Sequence, residues 1–219
     1  MKRIAAIPLI LASLAFPVVT SCSTRANEPH SAPDGCEEVL GSSGIKWVHD
    51  HATGDAGETI ERSTMSLKES REGYLKQMES WDPEGTHWSS ELCTMRKFTS
   101  GKNAVLRIEF GPSSTPFNFN TKGSEGTTEL VNPDVKLHQV KDHREITHYG
   151  IYVKCKMPGT PPHQASTTPL AGVLTDTLTE GTTADARVTY LLRSTRAVVR
   201  SLKCENKPVV PVSFPTSKQ

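Results

Sequence analysis

The chain has 219 residues, with 25 lysines and arginines against 24 aspartates and glutamates and a net charge of +1. Charges this evenly matched argue against a nucleic-acid binder, whose affinity comes largely from clustered cations on phosphates, and against a polybasic membrane patch. The length suits one domain able to bury a core, while a hydrophobic content of only 35%, with abundant Ser, Thr, Pro and Gly, points to long surface loops.

Lys2 and Arg3 are the only charges before Arg25 and form the positive start of an export leader. Ile4 to Val19 is almost wholly apolar but short of the roughly 20 residues a spanning helix needs. Pro8 and Pro17 interrupt it, each removing a helical hydrogen bond. The stretch is therefore expected to be the apolar region of a signal peptide. It runs into Val19-Thr20-Ser21-Cys22, which resembles the lipobox of bacterial lipoproteins: an aliphatic residue, two small residues and a cysteine. Val and Thr stand where Leu and Ala are most usual in that motif. The resemblance covers only the leader. It implies that the Cys22 thiol takes a diacylglyceryl group and that residues 1–21 are removed as a signal peptide. Two acyl chains on one residue suffice for stable anchoring, at about 0.8 kcal/mol per buried CH2. Two other readings stay open: ordinary secretion, for which Thr24-Arg25-Ala26 is a poor cleavage site, and an uncleaved anchor with a plain thiol at Cys22. Losing Lys2 and Arg3 with the leader takes the net charge from +1 to −1.

With Cys22 assigned to lipid, Cys36, Cys93, Cys155 and Cys204 remain. An even number outside the cytoplasm predicts two disulfides. The cysteines are far apart and form no CxxC, which argues against zinc. Residues 22–33 are polar and proline-containing, and are expected to tether the domain to the lipid. Asp34 is placed to cap a short helix over Cys36–Leu40, with Gly41 ending it. Ile45–Val48 has the character of a short strand. From Ser66 to Trp81 the apolar positions Leu67, Tyr74, Leu75, Met78 and Trp81 are spaced helically, and Asp82-Pro83 supplies the stop.

The strand pattern is clearest at Val105–Phe110 and at Ile151–Met157, where apolar and polar residues alternate strictly. Cys93–Phe98 is a weaker strand, joined to the 105–110 strand through the hairpin-like Ser100-Gly101-Lys102-Asn103, and Val135–Val140 is a further short one. Residues 111–133 and 158–182, rich in Gly, Pro, Ser and Thr, are expected to be loops. Ala184–Cys204 is a long amphipathic helix with a stripe of Val188, Leu191, Leu192, Thr195, Val198, Val199 and Leu202. A terminal strand over Val209–Phe214 would be confined by Pro211 to a sheet edge.

These elements predict a single α+β domain over residues 34–214, followed by a tail at 215–219: an antiparallel sheet covered on one face by amphipathic helices. Four cysteines allow three pairings. Cys36–Cys93 with Cys155–Cys204 is preferred, because the second pair would tie the end of the long helix to the inward face of a strand; nested and crossed pairings stay open. The lipobox, the helix-opening Gly35-Cys36-Glu37-Glu38-Val39-Leu40 and the cysteine-ended Val198-Val199-Arg200-Ser201-Leu202-Lys203-Cys204 are together similar to uncharacterised actinobacterial surface lipoproteins. That loose resemblance spans most of the mature chain and implies location and fold rather than chemistry.

Candidate sites are sparse. His49-Asp50-His51, on a strand, would set two imidazoles on one side as a metal pair, with Asp142, His143 or His148 as a third ligand. Nothing in the sequence brings those groups together, so solvated histidines are expected and neither a metal nor a cofactor is assigned. A Ser-His-Asp set can be composed, but the chain has no GxSxG elbow and no catalytic residue is assigned. Lys97, Lys102 and the arginines of the last helix are expected to form a solvated face, with a partner-binding stripe as the alternative. Trp88 is expected to fill the core alongside Trp47 and Trp81, with an exposed binding aromatic as the alternative.

The functional expectation is a lipid-anchored module on the extracytoplasmic face of the cell membrane, non-enzymatic, binding an envelope protein or a small ligand and no nucleic acid. A small-molecule or metal receptor for a transporter is the second reading, and a cell-envelope hydrolase the third.

Overall fold

Eight strands, each antiparallel to its neighbours, build the sheet. They are β1 (Glu61–Thr64), β2 (Ser90–Thr99), β3 (Lys102–Pro112), β4 (Lys122–Gly123), β5 (Gly126–Asn132), β6 (Val135–Lys141), β7 (Thr147–Val153) and β8 (Leu170–Asp176), in the spatial order β1-β2-β3-β8-β7-β6-β5-β4. The computed structural model describes residues 34–52, 59–99, 102–123, 126–141, 147–179 and 181–213. The chain divides into two units, Met1–Ser31 and Ala32–Gln219, and every described residue falls in the second. Among the described residues no helix is long and apolar enough to cross a membrane.

Alternation decides which face of the sheet is buried. Leu106, Ile108 and Phe110 of β3, Tyr149, Ile151 and Val153 of β7, and Leu170 and Leu174 of β8 point into one core. Three helices cover that face: α1 (Gly35–His51), α2 (Leu67–Glu79) and α4 (Ala184–Leu202), with the short α3 (Gln164–Thr167) preceding β8. α4 lies against β7 and β8 and touches both α1 and α2. This is the α+β arrangement expected, with helices on one face of an antiparallel sheet.

Local chemistry sets the helix ends. Asp34 accepts from the Glu37 amide at 2.9 Å, capping α1 as expected. Gly41 also turns where expected, at φ 65°, but as a kink, because the helix resumes beyond it. The Arg193 guanidinium occupies the space where a Cβ at Gly41 would stand, 1.9 Å away. Residues 45–48, expected as a strand, are therefore helical. Their apolar residues are claimed by α4: Trp47 stacks on Tyr190 with ring centres 4.4 Å apart, and Val48 is fully buried. α2 starts at a reciprocal cap between Ser66 and Glu69.

The disulfides join Cys36 to Cys93 and Cys155 to Cys204, the preferred pairs. The first fastens the start of α1 to β2; the second fastens the end of α4 to the chain just past β7. They span 57 and 49 residues, for which loop-closure entropy gives an upper figure of about 4 kcal/mol each.

Four further expectations need correction. The alternation over 151–157 is real, since Cys155 and Met157 are fully buried, but the ladder ends at Val153. Beyond it the chain bonds to the turn after α4 instead: Lys156 N donates to Asn206 Oδ1 (2.9 Å) and Glu205 N to Lys156 O (2.9 Å). Residues 111–133 are not all loop, because they contain β4 and β5. Residues 158–182 contain β8, which pairs on both sides, with β3 (Phe110 opposite Gly172) and β7 (Ile151 opposite Gly172). The 209–214 strand is absent over its described part, residues 209–213. That segment is held by a side chain instead: Asn132 Nδ2 donates to Val209 O at 2.9 Å. β1 was not anticipated.

Gly172 is the tightest point of β8. A Cβ there would lie 2.2 Å from Cε1 of the Phe110 ring, which covers the glycine across the ladder. Gly172→Ala is accordingly expected to cost about 1–3 kcal/mol by overpacking. Urea unfolding should record this as a lower midpoint, and Phe110→Leu in the same chain should recover part of the loss.

Candidate functional site

The residues singled out from sequence do not converge. Cys22, the lipidation candidate, lies outside the described residues, as do Asp142 and His143. His49, Asp50 and His51 sit on α1 rather than on a strand. Successive helical residues fan around the axis, so the pair geometry required of a metal site is lost. Each side chain has its own neighbour: His49 Nε2 lies 3.2 Å from an Arg62 guanidinium nitrogen, Lys46 Nζ 2.6 Å from Asp50 Oδ2, and His51 Nδ1 2.9 Å from Trp47 O. His148 stands on β7 with Nδ1 3.0 Å from Thr175 Oγ1. Among the described residues no group of three or more His, Cys, Asp or Glu could hold a metal ion.

Trp88 does not fill the core; it is 62% exposed. Gln77 holds its backbone from both sides, accepting from Trp88 N (3.0 Å) and donating to Trp88 O (3.1 Å). Gly111 leaves room for that carbonyl, which a Cβ would meet at 2.6 Å. The backbone is drawn down and the ring turns out. Trp47 is buried, and the half-buried Trp81 donates from Nε1 to Thr168 Oγ1 at 3.0 Å. Lys97 is not solvated either: it is 5% exposed and stands opposite Ala104 in the β2–β3 register.

The arginines of α4 also depart from a plain solvated face. Arg187 Nε lies 2.6 Å from Asp176 Oδ2, a carboxylate with no exposed side-chain surface. Asp176 accepts besides from the amides of Leu178 and Thr179, both at 2.9 Å, and from the Thr179 hydroxyl. Arg187 Nη1 reaches Thr182 O at 2.9 Å. One buried carboxylate thereby locks the end of β8 and the first turn of α4 together.

That lock fixes one wall of a cleft. α4 crosses β7 and β8, while β5 and β6 extend past its first turn, leaving a space of about 250 Å3. Leu137, Tyr149 and Val188 give it an apolar floor, and Glu129, Gln139 and Asp185 stand around it. The arrangement suits a small ligand with an apolar body and hydrogen-bond donors at one end. Sequence reasoning missed it because β5 was taken as loop; Thr127 and Glu129, opposite Gln139 and Leu137, form its outer limit.

His138, on β6 beside the cleft, has Nδ1 3.2 Å from Thr128 Oγ1 and 3.3 Å from Thr121 Oγ1, and its ring meets Phe119 edge-on at 5.7 Å. Burial lowers its pKa from the usual 6.5, outweighing the opposing Thr127 backbone hydrogen bond.

Two outcomes follow from this geometry. Asp176→Ala strands Arg187 in a largely buried position and should lower stability by about 3–5 kcal/mol in urea unfolding. The unfolded chain takes up a proton at His138 more readily than the folded one. Its contribution is thus whole above pH 6.5 and is lost as the pH falls through that value toward the lower folded-state pKa. Melting temperature should decline over that window, less steeply in His138→Gln.

Comparison with protein-family models, curated proteins and solved structures finds no match to this chain, so the cysteine framework and the cleft are what speak to its role.

Proposed function

We propose that this chain is a lipid-anchored extracytoplasmic lipoprotein whose folded domain is a non-enzymatic binding module. The observation that carries the reading is the pair of disulfides, Cys36–Cys93 and Cys155–Cys204, with all four sulfurs buried between helices and sheet. Such bonds form and persist in oxidising compartments. An exported domain needs a leader, and residues 1–21 supply a charged start, an apolar run and small residues ahead of Cys22. Cys22 is the one cysteine left over once the disulfides are formed, which is the residue a diacylglyceryl transfer would use.

The cleft between α4 and β5–β7 favours a small ligand, the observation that supports the second reading, a small-molecule receptor for a transporter. Glu129 and Asp185 would favour a ligand bearing an amine or hydroxyls, held by hydrogen bonds at the open end.

Replacing one residue tests the anchor. The wild-type chain should sediment with membranes, and its Cys22 peptide should carry a diacylglyceryl mass. Cys22→Ser should remove that mass and leave the protein uncleaved or released. Equal membrane attachment of an unmodified thiol, or recovery of the chain from cytosol with its cysteines reduced, would refute the reading.

A further inference from the structure

On the face of the sheet opposite the helices, two lysines stand close together over β6 and β7. Alternation along β6 and β7 turns Lys136 and Tyr152 away from the core, and Lys154 follows one step beyond the strand. The chain after β3 folds back over them. Lys136 is only 8% exposed; its ammonium donates to Phe117 O (2.6 Å) and Phe119 O (2.5 Å) and stands 5.1 and 4.9 Å from the centres of those two rings. The Lys154 ammonium lies 4.6 Å from the centre of the same Phe117 ring. Two cations therefore converge on one aromatic ring, and neither forms an ion pair with a carboxylate among the described residues. Carbonyl dipoles and ring faces solvate an ammonium but leave its net charge in place. Burial, and then repulsion from Lys154, push the Lys136 pKa down, the behaviour of a charge without a counter-ion.

Beside this pair opens a pocket of about 300 Å3, lined by Phe117, Asn118, Lys154, His163, Ser166 and Thr167, with Pro116 at its edge. Its polar side chains are an ammonium, an imidazole, an amide and two hydroxyls, with no carboxylate among them. The cleft at α4, by contrast, carries Glu129 and Asp185. The two recesses have opposite polarity and call for different ligands.

We propose that this pocket binds the phosphate group of a phosphate ester. A phosphate can carry up to two negative charges, which suits a pocket with the Lys154 ammonium in its wall, the Lys136 ammonium against the same Phe117 ring, and no carboxylate among its lining residues. Its tetrahedral oxygens can accept from Lys154, His163, Asn118 and the Ser166 hydroxyl at once, the Thr167 hydroxyl being already given to His163 O at 2.7 Å, whereas a planar carboxylate would leave some of those donors unused. The ester has two available sources, a soluble metabolite or a lipid headgroup. The site is independent of the anchor and of the α4 cleft, and stands whether or not either of those readings holds.

The full chain, oxidised and held in a non-ionic detergent, can be titrated calorimetrically with inorganic phosphate, glycerol 3-phosphate and dibutyryl phosphatidic acid. Saturable binding of a phosphate probe is expected, weakened about tenfold in Lys154→Ala, as for loss of one charge-assisted hydrogen bond, kept in Lys154→Arg, and unchanged in Glu129→Gln in the other recess. Tighter binding of the phosphatidic acid than of glycerol 3-phosphate supports the headgroup, and equal binding supports the soluble ester. If Lys154→Ala melts below wild type, Ser166→Glu serves instead, since it sets a repelling carboxylate on an exposed wall position and should abolish binding. Failure of all three probes to bind saturably, or undiminished binding in a variant that melts like wild type, overturns the proposal.

Discussion

The architecture depends on β8 fitting between β3 and β7. Without it the sheet would be two separate meanders, β1-β2-β3 and β4-β5-β6-β7, each offering too narrow a floor for the helices. β8 is hydrogen-bonded along its whole length on both sides, from Leu170, opposite Pro112 and Val153, to Asp176, opposite Leu106 and Thr147. The fit is tight where Gly172 lies under Phe110. At its far end Asp176 receives Arg187 and so ties the first turn of α4, capped by Thr183, to the strand. Strand, first helical turn and cleft wall are thus joined through one inserted segment of seven residues.

The disulfides act at the margins of that arrangement. One secures α1 to β2, on the β1-β2-β3 side; the other secures the end of α4 beside β7, on the far side of β8. The helical layer is fastened to both meanders, and β8 is held between them by its ladders and by α4 above it. The two recesses lie on the outer side of that frame. One opens where the sheet outruns α4, the other where the chain after β3 doubles back across Lys136.

Much of this was legible where neighbouring residues decide the conformation. Asp34 before Cys36, the helical spacing from Leu67 to Met78, the stripe along α4, and the alternation of Val105–Phe110 were all readable, and the disulfides form in the preferred pairing, though the sequence left the other two open. Where distant contacts decide, the sequence was misleading. The stretch Gly44–Val48 is poor in helical signal, and it is helical because Tyr190 and the rest of α4 cover Trp47 and Val48. β8 is apolar from Leu170 to Leu174 apart from Gly172, but it is short and lies in a stretch rich in Gly, Pro, Ser and Thr, whose composition reads as loop. Trp88 looks like core and is turned outward by what holds its backbone, while Lys97 and Lys136 look like surface and are enclosed. Neither recess was foreseeable, since each needs one wall from a segment that composition assigned to loop, Thr127 and Glu129 in one and Phe117 and Ser166 in the other, set against elements that were expected.

The insertion of β8 also bears on how the chain reaches this state. Because β8 is antiparallel to both β3 and β7, those two strands run parallel to each other. Before β8 is in place their facing edges are open, and they do not match as the antiparallel hairpins around them do. A direct β3–β7 union would need a parallel, slanted bonding pattern in a chain whose other pairs are all antiparallel. The gap stays open until a segment some sixty residues downstream of β3 arrives to fill it. Contacts of such long range form slowly, and the exposed edges meanwhile are where a crowded, half-folded population would first stick together.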